Sequence, residues 1–247
     1  MPPIPSVHYV ISVQYTTSSA PEIPAVLKER SDVTVTTQEG RGLSRNRNNA
    51  LRAATGDVVV IADDDCRYTP EAIDAICEAF AARPDADIVC FEAAGYDGIP
   101  LKHYPATPMS YGRACRQGYY AASVELAFRR SVFEENSLWF NERLGLGAEF
   151  PASEEEVLLC DAERAGLFID FVPQVIVRTD PATTGSRFLH DHRLQQTKGI
   201  VFRYRYGMCS ALWRTLKEGA YHFLHHGANP LPIYYHMLRG MLHNPLR

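Results

Sequence analysis

Three consecutive carboxylates, Asp63, Asp64 and Asp65, directly follow the apolar run of residues 57–62 (DVVVIA). An unbroken apolar run is typical of a strand buried on both faces, so the carboxylates are expected at its carboxyl end. Like charges this close repel one another, and a hard divalent cation relieves that repulsion. The pattern indicates an Mg²⁺ or Mn²⁺ site completed by the phosphates of a ligand. The alternative is a polar turn before the helix that begins at Pro70.

A second acidic cluster, Glu154, Glu155 and Glu156, follows Ser153. Ser153 and Glu156 fit a capping box, with Ser153 as the N-cap and Glu156 at the third helical position. Acidic residues in a first turn also stabilise a helix by about 0.3–1 kcal/mol each. The other interpretation is catalytic, in which one carboxylate is a general base that takes the proton of an attacking hydroxyl. The sequence leaves both interpretations open.

The elements that position these clusters alternate between apolar runs and helical patterns, which is typical of parallel βαβ units and predicts an α/β fold. The predicted strands are residues 7–13, 33–37, 57–62, 87–93, 124–128 and 168–177. The predicted helices are residues 24–30, those beginning at 42 and 70, and 154–165. Open α/β sheets bind ligands at the carboxyl ends of their strands, so the aspartates occupy the expected position for a site.

Composition limits the class of protein. The chain has 247 residues, of which 46% are hydrophobic, enough for one large α/β domain with or without a small appendage. The six cysteines form no CxxC pair, as expected in a reducing compartment. No apolar run approaches the roughly 18 residues that span a bilayer, and the N-terminus lacks the shape of a signal peptide. We therefore expect a cytoplasmic protein.

The C-terminal region, residues 186–247, differs from the rest of the chain. It carries a net charge of +7, many aromatic residues and a helical pattern, whereas residues 1–185 carry −11. This contrast predicts two domains, 1–185 and 186–247. A basic, aromatic helical region is also expected to make peripheral contact with the inner membrane surface. The alternative is that Leu212, Trp213 and Leu216 pack a helix against the sheet.

Several of these motifs together resemble a known family. Family 2 glycosyltransferases carry a G-x-S-x-x-R-N segment, a G-D pair and a DxD motif in this order, and similar motifs stand here at residues 42–48 (GLSRNRN), 56–57 (GD) and 61–65 (IADDD). A later acceptor-side segment of the family resembles residues 142–151 with Glu154-Glu155. The resemblance covers roughly residues 7–185. It implies a GT-A-like, mostly parallel central sheet flanked by helices. It also implies an inverting transfer from a nucleotide-sugar, expected to be a UDP-sugar, to a glycan or lipid-linked acceptor in surface polysaccharide biosynthesis.

The resemblance also implies residue roles. The metal ligand is Asp65, with Asp63 at the metal or its water shell. The nucleotide-sugar contacts are implied for Gly42, Arg47, Asp63 and Asp64. The catalytic base is Glu155, and Glu154 is the second choice. Nucleic acid is not expected as a partner.

The sequence departs from the family pattern at two places. The strand at 7–13 corresponds to the second family strand, so that the first, which helps to hold the nucleobase, is absent. Thr179 stands where many relatives carry a histidine near the metal, and Asp180 is a substitute for it. An alternative is therefore a degenerate, non-catalytic GT-A module that acts as a scaffold. A nucleotidyltransferase would need a Gly-rich phosphate loop after the first strand, which the sequence lacks there.

Glu125 lies in the predicted strand 124–128. It either contacts the acceptor or belongs to an ordinary exposed strand face, because the residues around it alternate between apolar and polar.

Overall fold

The predicted alternation of strands and helices is present in the computed structural model, which describes residues 2–181, 187–243 and 246. The strands are β1 (Tyr9–Tyr15), β2 (Val33–Glu39), β3 (Val58–Val60), β4 (Ile88–Ala94), β5 (Met109–Ser110), β6 (Leu126–Arg129) and β7 (Ile169–Arg178). The helices are α1 (Ala25–Lys28), α2 (Leu43–Ala53), α3 (Pro70–Ala81), α4 (Tyr111–Arg116), α5 (Ser131–Glu135), α6 (Glu154–Arg164), α7 (His192–His226) and α8 (Pro230–Leu242). The α/β fold class and the helical C-terminal part are confirmed.

The central sheet has five strands in the order β3-β6-β4-β7-β5. It is mixed rather than mostly parallel. β4 and β7 are parallel, whereas β6 is antiparallel to both β3 and β4, and β5 is antiparallel to β7. The long segment after β4, which ends in a 3₁₀ turn at Ser123–Glu125, reverses the chain before it enters β6.

Strands β1 and β2 form a parallel two-stranded sheet of their own. All seven residues of β1 are only partly buried. Two asparagines of α2 reach this sheet: Asn46 exchanges hydrogen bonds with Ser12, and Asn49 donates to the hydroxyls of Ser12 and Thr36. Polar side-chain contacts thus join the two-stranded sheet of β1 and β2 to α2.

Helix α3 shows why the chain turns sharply after the aspartates. The Thr69 side chain accepts a hydrogen bond from the backbone N–H of Ala72, and Pro70 occupies the first turn, where its missing N–H is not needed. Ile76 and Phe80 are buried on one face of the helix, in the same core as Val89 and Phe91 of β4. Capping and burial therefore fix the start and the orientation of this helix together.

The contacts group the chain into two compact units. Among the described residues, the first unit contains 2–41, 45–139 and 161–181, and the second contains 42–44, 140–160 and the part from 187 onward. The domain boundary predicted between residues 185 and 186 follows charge and composition and stays a prediction.

Helices α7 and α8 pack closely in the second unit because glycines lie at their contacts. A Cβ atom on Gly199 would overlap the carbonyl oxygen of Met237, and one on Gly240 would overlap that of Gln196. Gly207 has φ 73° and ψ 171°, outside the helical region, and divides α7 into two arms. Across the described residues, no helix is both long and apolar enough to cross a membrane.

We expect Gly199→Ala to destabilise the protein by about 1–3 kcal/mol, because the added methyl group meets backbone atoms that cannot move independently. Gly112→Ala is the matched control, since Gly112 is also helical and its Cβ would find only the Glu163 carboxylate at 3.8 Å. Urea unfolding measures both variants. The close-packing interpretation is wrong if the two alanine variants unfold at the same midpoint.

Candidate active site

The aspartates lie in a turn that is fixed to the sheet. After β3, the N–H of Cys66 donates to the carbonyl of Asp63 at 3.1 Å and closes the turn. Arg67 then exchanges two backbone hydrogen bonds with Arg178 at the end of β7, at 2.8 and 3.0 Å. Two strand ends thus hold the turn that carries Asp64 and Asp65.

Asp65 is oriented by the residues that follow β7. Its Oδ2 atom accepts a hydrogen bond from the Thr179 hydroxyl at 2.8 Å and another from the Asp180 N–H at 3.2 Å. Thr179 is buried, and its own N–H donates to the carbonyl of Ala94. The threonine that departs from the family pattern therefore positions the predicted metal ligand, as outer partners of metal ligands generally do.

Asp63 has a different partner. Its Oδ1 atom accepts a hydrogen bond from the Arg47 guanidinium at 2.8 Å, and the same nitrogen donates to the Ser123 hydroxyl at 2.9 Å. Arg47 is only 7% exposed, so its charge lies under the turn rather than on the surface. Asp64 is exposed.

These residues fit a cation that a ligand completes. The described residues contain no group of three or more His, Cys, Asp or Glu side chains that could hold a metal on their own. Mg²⁺ needs only one or two carboxylates when substrate phosphates and waters supply the other oxygens. Asp65 fits such a role because, within the described residues, both hydrogen bonds that its carboxylate accepts use Oδ2, which leaves Oδ1 as a ligand oxygen.

Tyr96 adjoins the same turn. Its hydroxyl donates to the backbone carbonyl of Asp65 at 2.5 Å, and the Arg67 guanidinium lies 4.6 Å from its ring centroid. The ring is 43% exposed. Sequence reasoning missed this residue, because its only signal was an aperiodic Tyr-, Gly- and Pro-rich segment.

Glu125 is neither an acceptor contact nor part of an exposed strand face, because it is fully buried. Its carboxylate accepts hydrogen bonds from the hydroxyls of Tyr104 and Tyr119 at 2.7 and 3.0 Å and from the N–H of Ala122 at 2.9 Å. The Lys102 ammonium lies 3.0 Å away and pairs with it. Glu125 is therefore the centre of a buried polar network.

The network also sets the protonation of its neighbours. Burial, and then the charge of Glu125, raises the pKa of Tyr104 and of Glu92. Burial is also the main cause that raises the pKa of Tyr119. Both tyrosines consequently stay protonated and keep donating to Glu125 at physiological pH.

In the second unit, the G-x-S segment meets the acceptor-side segment. The N–H of Leu43 donates to the carbonyl of Leu146 at 2.8 Å, and the Ser44 hydroxyl donates to the carbonyl of Leu144 at 2.6 Å. Gly42 has φ 122° and Gly145 has φ 98°, conformations that favour glycine. Two motifs about 100 residues apart in sequence are thus hydrogen-bonded together.

The capping box predicted for α6 is not formed. Ser153 has φ 69° instead of the extended conformation of an N-cap, although its carbonyl accepts the helical hydrogen bond from Val157. The Glu156 carboxylate lies among Arg205, Lys198 and Arg214, and burial raises its pKa despite these charges. Glu156 therefore faces α7 and is not used for capping.

The remaining two glutamates differ in exposure. Glu154 is buried at 6% exposure, and a Cβ atom on Gly145 would lie 3.4 Å from its carboxyl carbon. Glu155 is partly exposed. The catalytic roles predicted for this pair stay predictions, and exposure favours Glu155 as the carboxylate that an acceptor can reach.

Comparison with known proteins shows which family part of the chain resembles. Residues 16–136 match the family model described as Glycosyl transferase family 2. This match, over just under half of the chain, makes residues 16–136 similar to glycosyltransferase family 2. The matched segment contains Arg47, the three aspartates, Tyr96 and Glu125. No curated protein matches the chain significantly.

Solved structures show a similar fold for this chain. The S. aureus TarS fragment 1–349 is 16% identical, with a TM-score of 0.56 over 92% of this chain and 66% of that one. The same fragment in complex with UDP-GlcNAc is 14% identical, with a TM-score of 0.60 over 98% of this chain and 74% of that one. The chain thus spans about two thirds of the length of the TarS fragment. The likeness confirms the GT-A-type fold.

We expect Glu125→Ala to lower the free energy of unfolding by about 3–5 kcal/mol, because it leaves the Lys102 charge and two tyrosine hydroxyls without their buried partner. Chemical denaturation measures the loss. Glu134→Ala is the control, since the Glu134 side chain is 71% exposed. A Glu125 variant of unchanged stability would contradict the structural role.

Proposed function

We propose that the chain is an inverting glycosyltransferase that moves a sugar from a nucleotide-sugar to an acceptor hydroxyl. The observation that carries the proposal is the oriented Asp65 carboxylate, held by Thr179 and Asp180 at a strand end within a family 2 segment. Such a carboxylate is suited to a divalent cation that also binds a diphosphate. The TarS structures in complex with UDP and with UDP-GlcNAc support a UDP-sugar as the donor.

The residues divide the chemistry between them. Asp65 would hold Mg²⁺ or Mn²⁺, with Asp63 near its water shell, and the bound ion would neutralise charge on the diphosphate leaving group. Gly42, Arg47 and Asp64 complete the proposed nucleotide-sugar contacts. Arg47 acts partly through Asp63, since its guanidinium fixes that carboxylate.

Glu155 is the proposed general base. Its carboxylate takes the proton of the acceptor hydroxyl while that oxygen attacks the anomeric carbon, and the bond from this carbon to the diphosphate oxygen breaks. One displacement inverts the configuration. Glu154 is the second choice, and its burial makes it better suited to support the Gly145 turn.

The proposal extends to acceptor and location. A glycan or lipid-linked acceptor in surface polysaccharide synthesis suits an enzyme in the cytoplasm with peripheral contact at the inner membrane face. The other candidate is a non-catalytic binding module, favoured by the small, half-buried β1–β2 sheet. Turnover of a nucleotide-sugar panel with Mn²⁺ separates the two, because a binding module retains UDP affinity without releasing UDP.

Asp65→Asn is expected to reduce metal-dependent turnover by about 100-fold or more while the melting temperature stays near that of the wild type, because it removes a charged metal ligand and little packing. Asp74→Asn, on the exposed side of α3, is the control. UDP release is measured against Mn²⁺ concentration.

Thr179→Val refines this test, since it removes only the hydroxyl that orients Asp65. A rise of about 10-fold in the Mn²⁺ concentration needed for half-maximal rate is expected. Wild-type turnover and metal dependence in Asp65→Asn would show that the metal assignment is wrong.

Glu155→Gln is expected to slow transfer by about 10²–10⁴-fold, because the amide cannot accept the acceptor proton, while donor affinity is retained. Glu154→Gln is the matched control. Calorimetric UDP-sugar binding, turnover and melting temperature are measured on both. If the larger loss of rate falls on the Glu154 variant, that residue is the base. If the two variants lower only the melting temperature and not the rate of transfer, neither residue is the general base.

A further inference from the structure

The second arm of α7 and helix α8 each carry exposed apolar side chains, together called the outer face here: Trp213, Leu216, Leu224, Leu231, Tyr235 and Leu242. These side chains are between 51% and 76% exposed. Spacings of three, four, seven and eight residues place those of each helix along one side. Leu212, at 40%, is exposed on the same arm of α7.

The opposite sides of the same helices are buried inside the protein. Ala211, Thr215 and Gly219 are buried on α7, and Ile233 and Met237 are buried on α8. Helix α8 (PLPIYYHMLRGML) is consequently apolar on both its buried and its exposed side. A surface helix in water is normally polar on its exposed side, so this outer face is expected to be covered.

The charges around the outer face favour an anionic surface as the cover. Residues 208–243 contain a single carboxylate, Glu218, and it is paired with Lys198 at 2.6 Å and His222 at 3.0 Å. Lys217 and Arg239 are exposed, and the Lys217 ammonium lies 5.3 Å from the Trp213 ring centroid. Two copies joined through this face would bring their cationic residues together.

We propose that the outer face lies in the headgroup region of an anionic lipid bilayer, with α8 and the second arm of α7 parallel to the membrane plane. Exposed Trp and Tyr rings with flanking Lys and Arg suit that region. Lipid phosphates attract Lys217 and Arg239, while leucines enter the acyl boundary. This inference specifies the surface for the peripheral contact in the proposed function and rests on that part of it. Its test is independent of glycosyl transfer.

The test is co-sedimentation of the full chain with vesicles of equimolar phosphatidylcholine and phosphatidylglycerol, compared with phosphatidylcholine alone. We expect binding to the anionic vesicles that weakens as salt is raised. Leu231→Gln/Tyr235→Gln/Leu242→Gln should reduce the vesicle partition coefficient by about tenfold or more, since each side chain loses apolar burial. Val26→Gln/Phe168→Gln is the matched control, because these residues are similarly exposed, at 67% and 66%, in the first unit.

A second readout keeps the result interpretable. Melting temperature and light scattering are measured on every variant, and Trp213 fluorescence should shift to the blue with anionic vesicles. Absence of vesicle binding at low salt, or equal binding by the triple variant and the control, overturns the proposal. A wild-type dimer that the triple variant turns into a monomer also overturns it, because a second copy then covers the face. If the wild-type protein binds vesicles but releases no UDP from a UDP-sugar, the proposed function is refuted and the membrane proposal is not.

Discussion

The candidate site depends on the end of β7, where the chain holds the aspartate turn in place. The Arg67–Arg178 backbone pair and the Thr179–Asp65 hydrogen bond connect the turn after β3 to a strand more than 100 residues later. β3 itself has only three residues and pairs only with β6 among the described strands. Because β3 is so short, the orientation of Asp65 comes from the partners of the turn rather than from the strand that precedes it.

A second constraint is the buried carboxylate of Glu125. It connects the segment after β4, through Lys102, Tyr104 and Tyr119, to the 3₁₀ turn that also carries Ser123. Ser123 in turn binds Arg47, which binds Asp63. This largely buried network thus supports the aspartate turn, and its hydrogen bonds specify one arrangement of an otherwise irregular segment.

The sequence predicted the elements whose signals are local. The strand before Asp63, the helix that begins at Pro70 and the helix predicted at residues 154–165 all appear in the structure. At Gly166, φ is 80°, and the N–H groups of Gly166 and Leu167 close the helix on Glu163 and Ala162. Local signals could not predict which carboxylate would be buried. The burial of Glu125 and the turn of Glu156 toward α7 depend on partners distant in sequence, and so do the contacts of Tyr96.

The break at Gly207 has a consequence for how the C-terminal helices behave as a unit. Helix α8 touches both arms of α7, with Met237 against Gly199 before the break and Tyr234 against Gly219 after it. The angle between the arms is therefore maintained by α8 and not by a continuous helical backbone. Backbone amides on both sides of Gly207 should share one protection from hydrogen exchange while α8 is docked, and should exchange as two separate helices once it leaves.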